Sequence, residues 1–203
     1  MRNDLLEQIV IASGGTVTNK DDRSALLSDW LGAVSSPKVE VARLDGATQY
    51  WQLSDPIPIQ VEDQIEFMFI GGSVTNSFAA FVGATNFSVR FDVDTTATFL
   101  REQGSSATLN GLPVDSGVTP VPSNGENSVL ISSLSTGSLE QISSIGGSRL
   151  MNLPVYNFRV IRNGVVIHEI PLTNKAQGAT QLATVGNVNA TMVGYTPDVW
   201  EEV

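Results

Sequence analysis

The spacing of apolar residues changes period near residue 36. Before that point it is helical. Leu5, Leu6, Ile9 and Val10 share a face behind Asn3, which can cap a helix, and Gly14-Gly15 can end it because glycine accepts the left-handed conformation. Asn19 is a second cap, Asp21 and Asp22 suit the positive end of a helix dipole, and Leu26, Leu27, Trp30, Leu31 and Val34 form a second stripe. Two helices this short cannot hold a core alone, so residues 1–36 must pack on something. That surface is either the chain's own β-domain or a neighbouring subunit or larger assembly. On the second reading Leu26, Leu27, Trp30 and Leu31 are the candidate assembly interface.

After a linker at Ser35-Ser36-Pro37 the period becomes two, and residues 37–203 read as strands. Val39, Val41 and Leu44 open this region, and Tyr50 to Leu53 is a strand that Pro56-Ile57-Pro58 should interrupt. Gln64 to Ile70 places Ile65, Phe67 and Phe69 on one face, and Phe78 to Val82 is a short strand. In Phe87 to Asp94 the alternation turns Phe87, Val89, Phe91 and Val93 inward and Ser88, Arg90, Asp92 and Asp94 outward, with Thr96 to Arg101 running back beside it. Asn110-Gly111 closes a hairpin, Ser128 to Ile131 follows a polar loop, Ile142 to Ile145 is short, and Ala190 to Tyr195 completes a sheet.

The strongest local signal is Leu153 to Leu172, two strands joined by Asn163-Gly164, a pair suited to a two-residue type I′ turn. Counting outward from that turn sets Arg159 opposite His168. It lines one face with Tyr156, Phe158, Val160, Val165 and Ile167, and the other with Val155, Ile161, Val166 and Ile170. The second face is too apolar for free solvation and should be partly covered. Many short strands with turns between them argue for an antiparallel sandwich or jelly roll, and no fixed repeat points to a propeller or solenoid.

Composition narrows the function classes. The 203 residues carry a formal charge of −10 with only 11 Lys and Arg, which disfavours nucleic-acid binding, since that runs on clustered cations. There are no cysteines, no apolar run long enough to insert in a membrane, and no signal peptide at the N-terminus, so folding in a cytoplasm is expected. Charged residues make up 16%, and the many Ser, Thr, Asn and Gly suit sheets with uncharged polar outer faces, as in many extracellular or virion proteins.

Three segments in order, Leu109 to Gly117 (LNGLPVDSG), Ile145-Gly146-Gly147 and Leu153 to Val160 (LPVYNFRV), resemble the hairpin, "IG" strand and following strand of laminin-G-like, concanavalin A-like jelly rolls. Pro154 stands where that family usually has glycine. Asn189 to Trp200 is similar to the last strand and tail of jelly rolls in bacteriophage structural proteins, and Ile11 to Asn19 and Arg23 to Ala33 look like leader segments of phage virion proteins. The resemblance implies an all-β, concanavalin A-like jelly-roll sandwich behind a short N-terminal α-helical segment. It also implies a bacteriophage virion structural protein made in the host cytoplasm, a capsid decoration or cement or a tail-associated module. Its partners would be other virion proteins and copies of itself, a trimer being one such form.

The fold hosts lectins and glucanases as well, so chemistry must come from residues. A glucanase needs paired carboxylates close to Glu-x-Asp-x-Glu on one strand face. Glu62, Asp63 and Glu66 lack that alternation, and Asp92 with Asp94 supplies only two, so no enzyme is expected. Asp92 and Asp94 could contribute to a calcium site or form a solvated strand end. His168 is the single histidine, which excludes a histidine-based metal site and fits a cross-strand polar pair. No cofactor is expected. The alternative function is a carbohydrate-binding adhesion module for host-surface glycans, with Trp51, Tyr195 and Trp200 as candidate contacts and Tyr50 beside them, although such aromatics also fill cores.

Overall fold

A computed structural model describes residues 3–12, 16–19, 26, 38–76, 78–84, 90–93 and 99–203. The chain divides into two units, Met1–Val39 and Glu40–Val203.

In the first unit α1 spans Asn3–Ala12. Val10 is fully buried while its neighbour Ile11 is exposed, as one apolar stripe on a helix requires. Val10 packs with Leu26, also fully buried, and Val17 lies against both. Leu26 is therefore occupied within its own unit and offers no free surface. Leu27, Trp30 and Leu31, the rest of the second predicted helix and the linker lie outside the described residues. Among the described residues no helix is long and apolar enough to cross a membrane.

The second unit consists of strands β1 (Glu40–Ala42), β2 (Tyr50–Ile59), β3 (Gln64–Ile70), β4 (Ala80–Ala84), β5 (Arg90–Val93), β6 (Leu100–Gln103), β7 (Ser105–Leu109), β8 (Leu112–Pro113), β9 (Glu126–Ser133), β10 (Gly137–Ile142), β11 (Val155–Arg162), β12 (Val165–Ile170), β13 (Thr180–Gln181), β14 (Ala190–Val193) and β15 (Trp200–Glu202). They form a seven-stranded sheet ordered β13-β14-β2-β10-β4-β5-β6, a six-stranded sheet ordered β12-β11-β3-β9-β7-β8, and a small β1-β15 pair. Each strand pairing is antiparallel, and the chain passes between the two large sheets at β2–β3, β3–β4, β6–β7, β9–β10, β10–β11 and β12–β13, an all-β sandwich.

The core lies between the sheets. Phe67 and Phe69 of β3 meet Phe81 of β4 at ring-centroid distances of 5.6 and 4.8 Å, and Phe91 of β5 stands 5.6 Å from Phe81 and 6.3 Å from Phe67. Each fully buried phenylalanine contributes about 1.5–3 kcal/mol by leaving water. Their alternation on β3 follows the sequence pattern, with Ile65, Phe67 and Phe69 inward.

Several expectations are corrected. β2 runs through Pro56-Ile57-Pro58 without a break: Ile57 and Ile59 are buried while both prolines are exposed. The prolines fit because β14 pairs with β2 only over Tyr50 to Leu53, so the missing N–H groups fall where β2 has a single neighbour. In the Leu153–Leu172 hairpin, Asn163 (φ 52°) and Gly164 (φ 75°) form the expected left-handed turn, and Arg162 pairs with Val165 and Ile161 with Val166. A bulge at Ile167 then shifts the register, so His168 faces Val160 and Arg159 faces Glu169. A second bulge, at Asn157 with φ 50°, shifts β11 against β3, so that Val155 pairs with Phe69 and Tyr156 with Met68. The two shifts move Val155 and Ile170 to the core face and Tyr156 to the other. The apolar second face is therefore much smaller than the sequence pattern implies. The segment at Ile145-Gly146-Gly147 is a turn rather than a strand, closed by Ile145 and Ser148.

Four turns are tied together at one end. The β2–β3 turn bonds the β9–β10 turn through Glu62 N to Ser133 O and Ser133 N to Asp63 O, both 2.8 Å, and Leu134 N reaches Gly104 O at 3.1 Å. Arg162 donates to both carboxylate oxygens of buried Asp63, at 2.8 and 2.7 Å, and to Pro58 O of the opposite sheet at 2.9 Å.

Candidate functional site

The outer face of the seven-stranded sheet carries the densest polar arrangement. Trp51, Ile142 and Val82 point into the core, so their neighbours Gln52, Gln141 and Gly83 point outward. By register one residue from each strand joins this row: Thr180, Thr191, Gln52, Gln141, Gly83, Arg90 and Gln103. Thr180 and Thr191 hydroxyls are 3.0 Å apart. Gln141 Nε2 donates to Gln52 Oε1 at 3.0 Å, Gln52 Nε2 donates to Glu140 O at 3.0 Å, and Gly147 N donates to Gln141 Oε1 at 2.9 Å.

The loop after β10 lies over this row. Ile145 sits directly on Gly83, where any Cβ would collide with its side chain. Further along, Arg149 Nη1 lies 3.3 Å from Asp92 Oδ2 and its guanidinium stacks 5.0 Å from the Phe78 ring, a cation–π geometry. Arg90 Nε lies 2.9 Å from the same Asp92 oxygen, and Arg101 faces Asp92 across β5–β6. Burial pushes the Arg90 guanidinium below its ordinary pKa, partly offset by Asp92, with Arg149 and Arg101 adding to the depression. Arg90 and Asp92 thus occupy the outward face as expected but are buried there. A carboxylate held by guanidiniums is a poor calcium ligand, so Asp92 is a structural ion-pair partner. Asp94 lies outside the described residues.

Of the other carboxylates singled out in the sequence, Asp63 and Glu66 are likewise paired, while Glu62 is exposed in the β2–β3 turn. Asp63 is held by Arg162. Its burial alone would raise its pKa, but the Arg162 hydrogen bonds, the Gln60 N–H and the Arg162 charge together hold it below the usual carboxylate range. Glu66 lies 3.4 Å from Arg159, which bonds Glu169 at 2.6 Å. Among the described residues no group of three or more His, Cys, Asp or Glu is placed to hold a metal.

The aromatic candidates fare unequally. Trp51 is fully buried and Trp200 is 8% exposed, with ring centroids 6.5 Å apart, so both are core residues with no face open to a sugar. Tyr195 is half-buried beside Gly178, and Tyr50 is half-buried with its hydroxyl near Gly147. The structure brings together instead Gln52, Gln141, Thr180 and Thr191, which sequence reasoning missed. Uncharged residues at outward positions carry no signal of their own; the available clue was their alternation with Trp51, Leu53 and Ile142. Chemically, Gln141 is buried and its amide is used within the sheet, so what the row presents outward is its uncharged exposed positions, Thr191 and Gln103. Comparison of the chain with family models, curated proteins and solved structures found no match.

Proposed function

We propose that this protein is a non-enzymatic structural component of a bacteriophage virion, a capsid decoration or cement or a tail-associated module. Its sandwich is a concanavalin A-like jelly roll, and residues of the first unit attach it to the particle. The observation that carries this reading is the division at Val39: a short helix-bearing unit precedes a sandwich that has its own aromatic core. The ion-paired carboxylates of the sandwich support a packing role over chemistry. Its partners are other virion proteins and copies of itself in a symmetric homo-oligomer such as a trimer; it neither binds nucleic acid nor inserts in a membrane. Light scattering of the full chain should give an oligomer, and particles should retain the full chain but not residues 40–203. A monomer that binds particles equally well without the first unit would end the proposal.

The amide-and-hydroxyl row favours a second reading, adhesion to host-surface glycans through the outer face of the seven-stranded sheet. Binding on a glycan array that is lost in Gln52→Ala, Thr191→Ala and Tyr195→Ala variants, with particle attachment unaffected, would select it.

A further inference from the structure

Strand β12 is the outermost strand of the six-stranded sheet, and an open strand edge is a template for another chain. Its outer side is covered by one short segment. Thr184 N donates to Glu169 O at 2.9 Å, Glu169 N donates to Val185 O at 3.0 Å, and the Thr184 hydroxyl donates to Glu169 Oε2 at 2.5 Å. Residues 184–187 are themselves exposed, so little burial holds them down.

What this cover rests on is His168. The bulge at Ile167 turns the imidazole to the Val160 side. Gly186, with φ 79°, passes so close that a Cβ there would stand 2.6 Å from Nδ1 and 2.9 Å from Ile167 O. Nδ1 is buried and has no hydrogen-bond partner. The charged group that bears on the ring from β11 is Arg162, itself held by Asp63 of the β2–β3 turn. On β12 the adjacent Glu169 is engaged by Arg159 and Thr184, and the covering residues Thr184, Val185, Gly186 and Asn187 carry no charge.

We propose that residues 183–187 are an acid-released cover of the β12 edge, triggered by protonation of His168. A proton taken from solvent leaves both ring nitrogens as donors and the ring positively charged, beside Arg162, where Gly186 leaves no space for water or an acceptor at Nδ1. Lifting the cover hydrates the ring and exposes the Glu169 N–H and C=O. Burial, with the Arg162 charge, pushes the covered imidazole below its ordinary pKa. The open state therefore binds the proton more tightly, and opening is favoured increasingly as pH falls below about 6.5, the value for a solvated histidine.

Amide hydrogen exchange on the full chain tests this, at pH 7.5 and 5.5 after correction for intrinsic rates. Protection at Glu169 and Thr184 should fall severalfold at pH 5.5, up to the roughly tenfold ceiling that one proton on a solvated histidine of pKa about 6.5 allows, while β3 and β9 keep theirs. His168→Gln, uncharged at both pH values, should hold that protection, and Gly186→Ala should release the cover already at pH 7.5. Unchanged protection in the native chain, or the same acid loss in His168→Gln, overturns the proposal. Should His168→Gln fail to fold, NMR titration of the native imidazole decides: a pKa below that of an unstructured peptide supports the device, and one at or above it overturns it.

Discussion

Gly83 shows how much one absent side chain can determine. It lies in the middle of the outward row of the seven-stranded sheet, and the space a side chain would fill is taken by Ile145. Because Ile145 begins the turn that brings Gly147 to Gln141 and Arg149 to Asp92, the glycine fixes where the whole loop lands. Gly83→Ala should destabilise the protein by about 1–3 kcal/mol, the usual range for forcing extra volume into packed structure. The measurement is urea denaturation, and adding Ile145→Ala should recover part of the loss if this contact is the cause; an additive double variant would show that it is not. None of this was legible in the sequence. A glycine on a strand reads equally well as a bulge, a weak point or a close approach, and only the fold says which.

Among the elements, the β11–β12 hairpin separates what a sequence can specify from what it cannot. Its turn was legible because Asn163 and Gly164 are the residues that adopt positive φ at least cost, and φ values of 52° and 75° are found there. Its faces were not, because simple alternation assumes one residue per rung. The bulges at Asn157 and Ile167 each add a residue, and each reverses which side the following positions take. Asparagine tolerates the left-handed conformation that the first bulge needs, whereas a β-branched residue does not. Asn157→Gly should therefore leave stability within about 0.5 kcal/mol, while Asn157→Val should cost about 1–2 kcal/mol. Thermal unfolding of the two variants distinguishes these outcomes, and equal losses would mean that the side chain rather than the backbone matters. On β3, by contrast, no shift interrupts the ladder to β9, and Phe67 and Phe69 fell where alternation put them.

At the level of the whole molecule the ionisable groups set an acid profile with two stages. His168, depressed when folded, takes up its proton more readily when exposed, so stability begins to fall as pH drops through about 6.5. The carboxylates follow. Asp45 is held at about 2: burial would raise it, but the Thr48 hydroxyl and the N–H groups of Thr48, Ala47 and Gln49 prevail. Asp63 and Glu169 are lowered as well, Glu169 by the Thr184 hydroxyl and then by Arg159. Groups with depressed acidic pKa values stabilise the fold above their unfolded values, and that stability is lost as pH falls from about 4 toward 2. The melting temperature should therefore be flat above pH 7, decline modestly to pH 5 and drop steeply below 4; a rise between pH 5 and 3 would contradict these assignments. The sandwich class itself was legible from short alternating strands and turn residues, because burial on one face imposes that pattern locally. The division into seven and six strands was not, since it depends on pairings between distant segments such as β2 with β10 and β14. One such pairing has an engineering corollary. Glu40 lies opposite Glu202, so the first and last strands of the sandwich are neighbours in a single ladder. The β-domain can then be treated as a closed loop of chain: a short Gly-Ser bridge from the end of β15 to the start of β1, with new termini cut at Asn110-Gly111, should yield a circular permutant that folds to the same sandwich and retains its aromatic core.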